Sequence, residues 1–225
     1  MSLKSILGPA LFVCKLVNLY LIFMFAPTES SMGHVQRIFY FHVPTAWISG
    51  LSLSVVFIAS ILYLWKKQRK YDIVAHSAGE IGVLFMTLFL TTGPIWARPV
   101  WNTYWDWSPR LTSALVLWFI FVAYLMLRNF VESEEKGARL AAVFAIIGFV
   151  DVPIVYMSIR LWADIHPRPV IGGGEGSGLH PDMRIVFYFS VFTFTLLFLY
   201  LLIQRVRLQK ATVAIAEMKE QLAFH

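Results

Sequence analysis

Two histidines bracket the most unusual stretch of this 225-residue chain. In residues 93–113, between His42 and His166, are gathered four of its eight tryptophans, Trp96, Trp101, Trp105 and Trp107, with Tyr104, Arg98, Arg110 and Asp106. Each residue type brings its own capacity. Neutral imidazole ligates metal ions, indole offers a broad apolar ring with one N–H donor, and guanidinium pairs with carboxylates through a two-pronged fork. Together they suit a flat apolar ligand with acidic edges and a metal centre. Haem has that character, because a hydrophobic macrocycle carries propionates and its iron takes axial histidine. An ordinary aromatic belt at a membrane surface accounts for a ring or two at a helix end, fewer than are gathered here.

The elements that must position these residues follow from composition. Hydrophobic residues make up 58% of the chain and charged residues 14%, against about 45–50% and about 25% in an average soluble domain. That excludes disorder, and a single cysteine, Cys14, excludes a disulfide scaffold. Six stretches are long and apolar enough, or nearly so, to cross roughly 30 Å of hydrocarbon as helices. They are residues 9–26, 43–65, 78–96, 111–127, 140–162 and 185–203. The predicted fold class is all-α, a polytopic bundle of six transmembrane helices in a single domain, residues 1–225. Lys15 and Asn18 interrupt the first stretch, which reads as a retained span and not as a cleavable signal. Gly93, Pro94, Pro99 and Pro109 predict breaks in regular helix, so the rings are expected on a compact, partly irregular platform.

Charge predicts the orientation. Twelve of the nineteen basic residues fall on one side of the six spans, at Lys4, in Lys66-Lys67-Gln68-Arg69-Lys70, at Arg128, Lys136 and Arg139, and after Gln204. By the positive-inside rule that side is cytoplasmic and holds both termini. The net charge of +6 is then a topology signal, and nucleic-acid binding is excluded as its explanation. His42, His166 and the tryptophans share the outer face; His34 and His180 lie there in looser segments, while His76 and His225 lie inside. The outer loop 166–184 is rich in glycine but lacks the Lys-Ser/Thr of a phosphate loop. The tail 204–225 reads as an exposed cytoplasmic helix resting at the inner interface.

At this point the residues resemble a known family. The run from Gly93 through Trp96, Pro99, Trp101, Thr103, Trp105 and Trp107 to Arg110, Leu111 and Thr112 is similar to the WWD signature of the CcmC/CcmF/CcsA haem-handling family of cytochrome c biogenesis. Segments 38–44 around His42 and 161–166 up to His166 extend the likeness over nearly the whole chain, most closely to the short six-span members. The resemblance implies that His42 and His166 are axial ligands of a non-covalently held haem b, over a platform carrying Trp96, Trp101, Trp105, Trp107 and Arg110. It implies no enzyme but a component of the inner (cytoplasmic) membrane that hands haem to the chaperone CcmE beside an ABC transporter pair, CcmA and CcmB, and the small protein CcmD. The family's usual acid after the last tryptophan is absent; Ser108 stands there, and the nearest acid is Asp106. No C-x-x-C-H occurs for covalent attachment.

Two other classes compete. A membrane b-type cytochrome moving electrons across the bilayer would want histidine pairs within its spans, and these spans carry no mid-membrane histidine. A solute transporter would show more buried polar residues or discontinuous spans than Lys15 and Asp151 provide. Asp151, just before Pro153, is either an intramembrane functional acid or a partner for backbone groups freed by the proline.

Overall fold

Apolar runs with helical spacing form helices through nearly all of the described residues, which are 3–127, 130–131, 133–161 and 178–223 of a computed structural model. His166, Arg128, Glu132 and most of the glycine-rich loop lie outside them. Helix α1 (Leu3–Tyr20) closes in a π-helical turn (Leu21–Phe25), and a 3-10 turn (His34–Ile38) leads into α2 (Phe39–Lys66). Then come α3 (Arg69–Trp101), α4 (Pro109–Leu127), α5 (Glu134–Phe149), α6 (Asp151–Leu161) and α7 (Pro181–Ala223). Six of these stretches, counting α5 with α6 as one, are long and apolar enough to cross a membrane. The all-α, six-span class is therefore the observed one.

Helices α2, α3, α4 and α5 share one core, in which Leu53, Val56, Ala78, Phe121, Tyr124 and Ala145 are buried. Small residues set the spacing. A Cβ at Gly79 would stand 2.6 Å from the Tyr124 ring of α4, and one at Gly82 would meet Leu53 and Ser52 of α2 at 3.1 and 3.2 Å. Close approach of backbones through glycine is how apolar helices gain packing contacts in lipid, where burial itself drives little. Helix α7 packs along α2 and α3 through Ile48, Ile81, Phe85 and Phe198. Outermost is α1, which rests on α7 and is tied to it where Ser190 Oγ donates to Asn18 Oδ1 at 2.9 Å, both residues being buried. Its exposed Phe12, Leu16, Tyr20 and Met24 suit a lipid-facing surface.

Three expectations are corrected. Helix α3 does not break at Gly93, Pro94 or Pro99 but runs on to Trp101, so Trp96 and Trp101 are helical. Each proline forfeits one rung of the ladder, and the helix still closes with Asn102, in the left-handed region at φ 58°, donating its N–H to Arg98 O at 3.0 Å. Asparagine tolerates that conformation better than most residues. The fifth span, read as continuous, is interrupted at Val150, and Asp151 begins α6. Pro153 falls in the first turn of α6, where its missing N–H is harmless, and the acid beside it complements the helix N-terminus. Finally, the tail does not turn aside to rest on the interface; α7 is one helix from Pro181 to Ala223.

Asp151 and Lys15 do not meet, since α6 packs on α4 and α5 whereas α1 packs on α7. At the basic end Arg205 of α7 forms a two-pronged pair with Glu80 of α3, and Arg69 pairs with Glu134.

Candidate functional site

The second helix starts with Phe39-Tyr-Phe-His42, so its first turn delivers His42 to the tryptophan end of the bundle. Helix α3 receives it. Phe89, Thr92, Gly93 and Trp96 recur at i, i+3, i+4 and i+7 and so line one face. The Phe89 ring stacks on the imidazole at 4.6 Å between centroids, and Trp96 meets it edge-on at 5.7 Å. His42 Nδ1 lies 2.9 Å from Thr92 Oγ1. Gly93 leaves the room, because a Cβ there would come within 3.3 Å of His42 Cε1. The imidazole is thus held on its face, on one nitrogen and on one edge.

The tryptophans form two pairs. Trp96 and Trp101 lie at the end of α3 with centroids 6.2 Å apart, and Trp96 also packs against Phe39. Trp105 and Trp107 meet at 5.8 Å in the segment between α3 and α4, where Thr103 Oγ1 donates to Trp105 O at 2.9 Å. Ser108 precedes Pro109, the first residue of α4, and accepts the Thr112 N–H at 3.0 Å. A narrow cleft separates α3 from this segment, lined by His42, Gly93, Tyr104, Trp105, Asp106 and Arg110 among others. About 30 Å³ of it admits a water-sized body. Tyr104, which lines it, is 62% exposed, and Trp107 beside Trp105 is 74% exposed.

Arg98 stands apart from the cleft. Its guanidinium donates to Asn102 O and Oδ1 at 2.6 and 2.5 Å and lies over the Tyr104 ring, so it caps the end of α3. His34 opens the 3-10 turn, and His180 sits beside Asp182 before α7 at 3.6 Å; both are exposed. A cavity of about 660 Å³ lies at the basic end among Tyr63, Asp72, His76, Glu134, Arg139 and Gln209. None of the predicted site residues lines it. Phe89 and Thr92 are the site residues that the sequence reading missed, and their 3–4–7 spacing with Gly93 and Trp96 was the available signal.

A test of fit to a haem lies in the indole N–H groups. Outside the motif, Trp47 donates to Thr195 Oγ1 at 3.1 Å and Trp118 to Thr87 Oγ1 at 2.9 Å. Within it, the Nε1 atoms of Trp96 and Trp105 are buried without a hydrogen-bond partner. Buried donors are seldom left so, and acceptors on a bound ligand would satisfy them. An imidazole, apolar rings and unmet donors together fit the group.

The sequence model of one family, described as Heme exporter protein C, matches residues 2–221. The chain belongs to that family. It is 35% identical to the heme exporter protein C of Escherichia coli K12 over 191 residues, 82% of this chain and 74% of that one. Over 173 residues, 77% of this chain and 66% of the relative, it is 35% identical to the heme exporter protein C of Bradyrhizobium diazoefficiens. The Haemophilus influenzae protein of the same name is 33% identical over 187 residues, 82% of this chain and 75% of its own length. The chain thus spans about two thirds to three quarters of the length of these relatives. Membership makes it a multi-pass membrane component of haem handling in cytochrome c biogenesis.

Proposed function

We propose that this chain holds haem b non-covalently at its tryptophan end, on the outer face of the bacterial inner membrane, and presents it to the haem chaperone CcmE. The observation that carries the reading is the seating of His42 on Phe89, Thr92 and Trp96, at the edge of a cleft shared with Trp105, Asp106 and Arg110. His42 is one axial ligand and His166 the other. The cleft is too narrow to admit a macrocycle, so the cargo lies across its mouth, against the exposed Trp107 and Tyr104. Arg110, which lines the cleft, suits a propionate, and Trp101 and Trp107 extend the apolar floor. Asp106 takes the place of the family's acid, and Arg98 acts by fixing the end of α3.

The chain moves cargo and makes no bond, so no catalytic residue is assigned. The family supports CcmA, CcmB and CcmD as further partners, and the basic residues clustered at the far end support cytoplasmic termini. The test is the absorption spectrum of the purified full chain. Wild type carries a bis-histidine b-type haem; His42→Ala and His166→Ala each disturb the ligation and the double variant loses it. An unchanged spectrum in the double variant refutes the ligand assignment.

A further inference from the structure

We propose that Thr92 sets the tautomer of His42, holding the imidazole proton on Nδ1 so that Nε2 carries the lone pair that a metal needs. The inference rests on the reading of His42 as an iron ligand. Thr92 Oγ1 lies 2.7 Å from the carbonyl oxygen of Leu88, 3.3 Å from that of Phe89 and 2.9 Å from His42 Nδ1. Two oxygens at 2.7 Å need a proton between them. A carbonyl has none to give, so the single hydroxyl proton of Thr92 is committed to Leu88 O. The 2.9 Å contact needs a proton as well, and only the imidazole can supply it. His42 therefore donates from Nδ1, and in the neutral ring the lone pair falls on Nε2.

The surroundings keep that arrangement in place. Rotating the ring by half a turn about Cβ–Cγ would set a carbon against Thr92 Oγ1 and forfeit the hydrogen bond. Phe89 on the ring face and the absent side chain at Gly93 define the plane in which the ring sits. A partner on the second nitrogen is what orients a metal-binding histidine and raises its basicity. Here that partner is a threonine hydroxyl made an obligate acceptor by its own helix. Thr92 is thus a positioning residue for the ligand and touches no cargo itself.

The experiment uses the full chain in nanodiscs, labelled with ¹⁵N-histidine, free of haem and at about pH 8.5, above the ordinary histidine pKa of about 6.5. Nitrogen chemical shifts read the tautomer, and Soret absorbance reads haem affinity. Wild type shows Nδ1–H at His42. Thr92→Val loses that preference and binds haem about 10–100-fold more weakly, and Thr92→Ser restores both. An Nε2–H tautomer in wild type, or an unchanged tautomer in Thr92→Val, overturns the inference. Should the valine variant fail to fold, the wild-type tautomer and the serine variant still decide it. His42→Ala separates the two readings. If it binds haem as wild type does, the ligand assignment falls while the nitrogen shifts still judge Thr92. If it loses haem and Thr92→Val binds undiminished, the role of Thr92 is refuted.

Discussion

Gly79→Ala tests the spacing of α3 and α4 at the point where Gly79 faces Tyr124. The added methyl would stand 2.6 Å from Tyr124 Cε1 and 3.3 Å from Cδ1. Carbon atoms rest at about 3.5–4.0 Å, so the ring or one helix must give way by about 1 Å. Tyr124 is 1% exposed and sits in the core with Phe121, Ala78 and Ala145, which leaves it no empty direction. Overpacking of this kind costs about 1–3 kcal/mol. In a chain of this size each kcal/mol lowers the melting temperature by about 2–4 °C, so the loss is between about 2 and 12 °C. The assay is thermal unfolding in detergent, followed by the monodisperse fraction on size exclusion. Tyr124→Leu, made first, removes the offending ring, and in that background Gly79→Ala should cost under about 0.5 kcal/mol. Equal losses in both backgrounds, or no loss in either, would show that the Gly79–Tyr124 contact does not set the helix spacing.

Two further outcomes follow from the Glu80–Arg205 ion pair and the turn at Glu29. Glu80→Gln removes the partner of Arg205, whose side chain is 28% exposed; a fully buried pair would lose about 3–5 kcal/mol, and partial exposure reduces this to about 1–3 kcal/mol. The Glu80→Gln/Arg205→Gln double variant should melt above Glu80→Gln alone, because no unpaired cation remains. At Glu29 the N–H of Met32, followed by the hydroxyl of Ser31, holds the carboxyl below its usual value of 4.5. The turn from Glu29 to Gly33 therefore gains its order fully above about pH 4.5 and loses it as pH falls through the lower value in the folded chain. Amide exchange at Met32 should quicken only below that point, and in Glu29→Gln it should be fast and independent of protonation near pH 4.

Composition and charge were enough to read six spans, and the tryptophan cluster and His42 were visible as a motif. Proline was overread. Pro94 and Pro99 stand near the end of a long helix, where the loss of a rung is local and the ladder resumes to Asn102. Asp151 and Pro153 mark a disturbance within the apolar run from 140 to 162, but not that a new helix begins at Asp151. The support of His42 is not legible in the motif, because Phe89 and Thr92 lie one turn before Gly93 in what reads as ordinary membrane helix. A threonine in an apolar span is usually explained by the bond to its own backbone, and here that same bond is what turns its oxygen toward the histidine.

The unbroken α7 has a mechanical consequence. Its 43 residues make a rod about 65 Å long. Near one end Met183, Val186 and Phe187 press on Phe39 and Tyr40, in the cluster against which Trp96 packs. Further along, Arg205 grips Glu80, and Gln209 and Val213 wall the basic cavity. A stiff rod with such contacts acts as a lever. A tilt of about 5° about its midpoint would carry either end through roughly 3 Å. A pull on the far end of α7 is therefore felt at the tryptophan platform.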